Sequence, residues 1–305
     1  MAAPTVEAGV AVVGGKEALV GDKEALQTYY AGALRRCLDA WSQLDDGDWG
    51  AKDRRGPWTA RDYLAHLVTS QQIEGNPVTA ATLAGKKAEV PGLNGPQDID
   101  AFNACNLETV RDVGPQELTQ RLRELVEEHL AMLSPLSDAD LERPAANPGL
   151  FWPITVQITF DMYYLHLPLH YQDIRRCLRG RRRLPHWVDL AGEEEIHDAM
   201  NRTFQMMPAF YWAERGRGLR ASILFTLAGK GGGQWTVEID DGRCSSHAGP
   251  PERVDVEIRA SPALYIDMQT HDMNPIWSFL SGSFRVRPLT KLGLANRLEK
   301  LFAIT

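Results

Sequence analysis

The spacing of apolar residues changes once along this chain, and that change limits the folds open to it. Up to about residue 180 they recur at intervals of three and four; beyond about residue 220 they alternate. The first period belongs to helices with one buried face, the second to half-covered strands. Leu26, Tyr30, Ala33, Leu34, Cys37, Leu38, Trp41 and Leu44 mark the first stripe. Thr59, with Asp62 three residues on, predicts a capping box opening a second helix to about Glu74, with Trp58 and Tyr63 placed as a hydrophobic staple. Gly75 to Pro96 reads as a Gly/Pro-rich loop. A third helical region starts near Asp98, bends at Gly114-Pro115 and carries Leu118, Leu122, Leu125, Val126, His129 and Leu133 on one face; a fourth runs from Ile154 to Leu178. Four such helices predict a bundle.

Beyond the Arg181, Arg182 and Arg183 run, read as a solvated connection, a helix is expected at about Glu193 to Met206. Trp235, Val237 and Ile239 then alternate with polar residues before an Asp241-Gly242 turn, which predicts a strand entering a hairpin. Further strands are expected at Ser222 to Ala228, Val254 to Arg259 and Ser283 to Arg287, with helices at Pro262 to Gln269, Pro275 to Leu280 and Leu289 to Phe302. Gly229 to Gly233 lacks phosphate-loop spacing and reads as a turn between strands. The expected organisation is α+β in two domains: a disordered leader over residues 1–21, a four-helix bundle over 22–180, and a linker with a smaller α+β domain over 181–305.

A length of 305 residues suits two domains. The formal net charge of −7 offers no footprint for a polyanion, so nucleic acid is not an expected partner. No stretch reads as a signal peptide or membrane span. Cys37, Cys105, Cys177 and Cys244 form no C-x-x-C pair, which argues against a thiolate zinc site and fits a reducing cytoplasm. Nothing separates a monomer from a homodimer.

His166 and His170 stand four apart in the fourth helix, so their rings project from one face and can converge on one ion. A catalytic metal takes three protein ligands and keeps a position open. His66, in the middle of the second helix, is the expected third ligand; His129 is a rival, although a hydrogen-bonded core role is the commoner one for a histidine on an apolar face. Asp173 and Tyr163 share the face of His166 and His170. A carboxylate at Asp173 could take the outer N–H of a ligating ring. Pro168, between the two histidines, removes a helix hydrogen bond and could turn one ring away.

The segments P-W-T-A-R-D-Y-L-A-H-L (Pro57 to Leu67), D-I-D-A-F-N-A (Asp98 to Ala104) and L-H-L-P-L-H-Y-Q-D-I (Leu165 to Ile174) together resemble the DinB-like superfamily, in particular its mycothiol-dependent maleylpyruvate isomerase branch, over about residues 22–180. That resemblance implies a metal held by a histidine of helix two and by a glutamate and a histidine four apart in helix four. Those positions correspond to His66, His166 and His170, so histidine stands where the branch has glutamate. The exchange removes a negative charge, which raises the metal's Lewis acidity and leaves its identity open: Zn2+ first, with Ni2+ and Fe2+ as alternatives. The stretches Q-W-T-V-E-I-D-D-G-R, D-V-E-I-R-A-S-P and N-P-I-W-S-F-L-S-G-S-F-R-V resemble the sterol-carrier-protein fold over about Leu219 to Phe302. Stand-alone members form an apolar lipid tunnel; beside a DinB-like bundle the domain would wall the active site.

The resemblance implies a metal-dependent enzyme in which a low-molecular-weight thiol such as mycothiol attacks an electrophilic small molecule, as an isomerase or a transferase, with a tailoring step in secondary metabolism as a related use. Arg220, Arg285 and Arg287 are expected to contribute anion contacts, with Trp277 and Phe279 as apolar lining or core. The alternative is a non-catalytic carrier of lipid or another hydrophobic ligand.

Overall fold

The computed structural model describes residues 23–302, so the expected leader lies outside the described residues. Helix α1 (Lys23–Trp41) turns its three-four stripe inward, burying Leu26, Tyr30, Ala33, Cys37 and Trp41. Helix α2 (Ala60–Ser70) begins where its capping box places it: Thr59 accepts from the Asp62 N–H and Asp62 accepts from that of Thr59. Trp58 and Tyr63 meet edge to face at 5.1 Å, closing the staple.

The chain does not enter a loop at Gly75. A π turn (Gln71–Gly75) passes directly into α3 (Asn76–Leu83). Because the chain is already helical before it, Pro77 leaves a carbonyl of the preceding turn without its usual N–H partner, and the helix widens there, with the Asn76 N–H reaching the Gln71 carbonyl. Gly75 is needed because a Cβ there would lie 2.7 Å from the Tyr163 ring. The expected third helix is two helices, α4 (Ile99–Thr109) and α5 (Pro115–Leu133), separated at Gly114 rather than bent. Helix α6 (Val156–Cys177) continues through Pro168 and packs against α1 and α2. Its Phe160, Tyr164 and Tyr171 are fully buried, and with Leu64, Val68, Leu118, Leu122 and Val126 they form the bundle core.

Helix α7 (Glu193–Met206) spans the two halves, touching α6 on one side and the sheet on the other. Buried Arg202 pairs with Asp161 of α6 and with Asp198 one turn back, so the charges brought inside are compensated. The sheet comprises β1 (Arg220–Leu227), β2 (Gly233–Asp240), β3 (Arg243–Ala248), β4 (Val256–Ala260) and β5 (Arg285–Arg287), in the order β3-β2-β1-β4-β5, with β1 and β4 parallel and the other neighbours antiparallel. Ile223 stands opposite Val237 on one side and Val256 on the other, so the alternation buries one face. Strand β3 carries no apolar alternation at Ser245, Ser246 and His247, and the hairpin turn alone points to it. It is the return arm of the hairpin at Asp241-Gly242, which takes positive φ at both residues.

Helices α8 (Pro262–Gln269), α9 (Pro275–Leu280) and α10 (Leu292–Leu301) complete the domain. Phe204 of α7 stacks on Trp235 at 5.0 Å and on Tyr265 at 5.2 Å, filling the space between helix and sheet with rings. The core runs unbroken from the bundle into this layer. Trp277 and Phe279 are neither lining nor core: helix α9 has one and a half turns, and Trp277 is 70% and Phe279 40% exposed.

Candidate metal centre

Two helices carry the three histidines. His66 lies near the middle of α2; His166 and His170 lie one turn apart on α6. Their Nε2 atoms turn to one point: His66 to His166 is 3.1 Å and His166 to His170 is 2.8 Å. All three ligand atoms fall within 4.8 Å of one another. Pro168 therefore leaves both rings on the shared face.

Two of the three outer sides are held. Asp173 bonds the Nδ1 of His170 at 2.7 Å, and Ser70 Oγ lies 3.3 Å from the Nδ1 of His66. Trp58 packs 5.1 Å from the His66 ring and Tyr63 5.5 Å from that of His170. Asp173 is steadied by Arg176 Nη1 at 2.8 Å. Arg176 spends its remaining donors on Asp53, Tyr63 and the carbonyl of Thr270, so one buried guanidinium joins the bundle to the second domain. Burial raises the Asp53 carboxyl, but hydrogen bonds from Arg176 and Tyr63 outweigh it and bring it down to about 2.

The arrangement suits a cation better than a proton. Burial, with the neighbouring histidines, holds His66 and His166 well below the ordinary imidazole range, which keeps both neutral. A neutral His170 that gives its Nδ1 hydrogen to Asp173 presents a lone pair at Nε2. One well-aligned hydrogen on His166 Nε2 serves one contact at a time, so no placement of hydrogens satisfies both. Tetrahedral coordination at about 2.0–2.1 Å sets neighbouring nitrogens roughly 3.3 Å apart; the two contacts at His166, 3.1 and 2.8 Å, are close to that, and all three atoms lie within 4.8 Å of one another. These residues fit a divalent ion.

His129 is excluded from the cluster. Its Nδ1 lies 3.3 Å from the Tyr30 hydroxyl and its Nε2 2.9 Å from that of Thr79, and burial lowers its pKa to about 3. Both ring nitrogens are used inside the core.

The three histidines open onto a cavity of about 710 Å³ between the bundle and the second domain. Tyr163 lies 6.1 Å ring to ring from His166 and donates its hydroxyl to Glu74. Glu74 also accepts from Asn147 Nδ2 at 2.8 Å; burial raises its carboxyl pKa. Asp173 and Tyr163 thus stand where the sequence places them. The expected arginines do not: Arg220 is 77% exposed and paired with Asp240, Arg285 bonds the carbonyl of Gly282 at the surface, Arg287 is exposed, and none lines the cavity. Strand alternation gives a residue's face but not which sheet end meets the bundle. Arg176 takes the interface position instead. Ser70 and Glu74 were missed, although they follow His66 by four and eight and could have been read from helical spacing.

Comparison with known proteins agrees with this architecture. Residues 29–174 match the model of the DinB superfamily and residues 212–302 that of the SCP-2 sterol transfer family. The crystal structure of the mycothiol-dependent maleylpyruvate isomerase is similar in fold over 81% of this chain and 88% of its own, with a TM-score of 0.52 and 13% identity; a mutant of that enzyme matches over the same shares with the same TM-score and 14% identity. Hydroxysteroid dehydrogenase-like protein 2 from Rattus norvegicus is 28% identical over 104 residues, 34% of this chain and 20% of that protein; the Mus musculus protein is 28% identical over 104 residues, 34% and 21%. The chain spans about a fifth of the length of these curated relatives. The chain therefore joins a helical bundle that matches the DinB superfamily over residues 29–174 to a C-terminal domain that matches the SCP-2 sterol transfer family over residues 212–302.

Proposed function

We propose that this protein is a metal-dependent enzyme acting on an electrophilic small molecule, with His66, His166 and His170 as ligands and a low-molecular-weight thiol such as mycothiol as co-substrate. The observation that carries it is the meeting of three Nε2 atoms at one cavity wall, each from a ring whose neutral form is favoured or braced from outside. A divalent ion held there, Zn2+ before Ni2+ or Fe2+, would favour the thiolate form of a thiol at its open position. Asp173 fixes the tautomer of His170, and Arg176 fixes Asp173. The Tyr163 hydroxyl donates to Glu74 at the wall of the same cavity, so the pair stands where it can bond a polar group of the substrate. Addition of the thiol to a conjugated double bond, rotation and loss of the thiol would isomerise the substrate; addition alone would transfer the thiol. The bundle ends, in this reading, at about Gly180, and the rest serves as linker and cavity wall.

A purified full chain should carry about one divalent ion, and His66→Ala should lose it while keeping its helical circular dichroism. Full metal content in that variant sinks the proposal. A second reading, a carrier of hydrophobic ligands, is supported by the SCP-2 family match and the apolar cavity. A carrier would release acyl or polyketide-like material on extraction and hold little metal.

A further inference from the structure

We propose that the molecule occupying the cavity is neutral and largely apolar along its length, and is oriented by one hydrogen-bonding group at Glu74 and Tyr163 rather than by a second carboxylate. The inference rests on the proposed enzyme reading, whose substrate it narrows. Four methionines, Met162, Met200, Met206 and Met207, line the wall with Leu169 and Ile266. They come from α6, from α7 and the turn after it, and from α8, so both halves of the molecule supply apolar surface. Unbranched thioether side chains adapt to irregular hydrocarbon shapes and give an anion nothing to bond.

Charge separates the possible guests. Arg176 is the one arginine or lysine among the described lining residues, and its guanidinium already makes four hydrogen bonds, to Asp53, Tyr63 and the Thr270 carbonyl, and an ion pair with Asp173. An anionic group seated against the methionine wall would be buried with no second arginine or lysine to meet it, and so disfavoured. Beside the triad the wall instead offers Tyr163, 6.1 Å ring to ring from His166, and Glu74, with Asn147 behind them. A single carbonyl or hydroxyl suits them.

The test uses the metal-loaded full chain and Nile red, an uncharged dye whose emission rises in apolar surroundings. 2-Dodecanone should displace the dye at concentrations at least tenfold below those of maleate. Met162→Arg and the milder Met200→Gln should each weaken 2-dodecanone binding, by about tenfold and threefold, with metal content unchanged. Tyr163→Phe should weaken the ketone about threefold. Displacement by maleate at equal or lower concentration, by neither competitor, or without effect of the methionine changes overturns the proposal. Metal analysis of the same samples keeps the two readings apart: loss of the metal assignment shows in His66→Ala, whereas loss of the substrate class shows in the competition.

Discussion

His129 and the cluster of His66, His166 and His170 are buried in the same bundle, and burial lowers the pKa of His129, His66 and His166 alike. What differs is where the lone pairs point. His129 places both ring nitrogens against hydroxyls of Tyr30 and Thr79 and stacks on Phe160 at 4.5 Å. In the cluster the Nε2 atoms face one another beside a cavity, with a contact that no arrangement of hydrogens completes. Burial therefore does not distinguish a ligand from a core residue; the partner left over after every hydrogen is assigned does.

The contrast breaks most readily at the ligands. His66→Ala or His166→Ala should cut the bound divalent ion from about one per chain to background, read by elemental analysis, with little change in circular dichroism. His129→Ala should do the reverse: metal retained, and stability to urea lowered by about 2–4 kcal/mol for the cavity and the orphaned Thr79 hydroxyl, Tyr30 keeping its bond to Gln71. A destabilised variant that also loses its metal would merge the two sites. Asp173→Asn should lower metal affinity by roughly ten- to a hundredfold in chelator competition, since the carboxylate that sets the His170 tautomer is gone. Next comes pH. The folded pKa of His129, about 3, lies below the unfolded value of about 6.5, so the unfolded chain binds the extra proton between them. The stability His129 contributes is complete above that window and falls with acid, by at most about 1.4 kcal/mol per pH unit. Urea midpoints of His129→Gln should fall less steeply from pH 6.5 towards 4 than those of the parent; parallel slopes would contradict a neutral core imidazole. Ser70→Ala should have the smallest effect, a two- to threefold loss of metal affinity by the same competition, because its contact with His66 is long and uncharged.

Much of this was open to inspection of the sequence, for local reasons. The Thr59 capping box and the Trp58 to Tyr63 staple act within a few residues, and the three-four spacing of α1, α5 and α6 reports one buried face each. The hairpin at Asp241-Gly242 is equally local. Long-range pairings were not legible. Gly75 looks like a helix end until the Tyr163 ring is seen against it, and Glu74 looks like an exposed helical acid until Asn147 and Tyr163 enclose it. Arg220, Arg285 and Arg287 have the right chemistry for anion contacts, but only tertiary packing shows that Arg176 holds the junction. The histidines occupy a middle case: spacing set His166 beside His170, while admitting His66 and excluding His129 needed the packing of α2 and α5 against α6.

The buried guanidinium at the junction has a consequence for anyone dissecting this molecule. Because Arg176 grips the Thr270 backbone with the same side chain that braces Asp173, cutting away the C-terminal half would free one end of the strut behind His170. An isolated bundle would keep all three imidazoles yet lose part of their scaffolding, so weak metal affinity in such a fragment would report the amputation rather than the site. Dissection by Arg176→Lys in the intact chain is the cleaner cut, since it loosens the strut and leaves the wall standing.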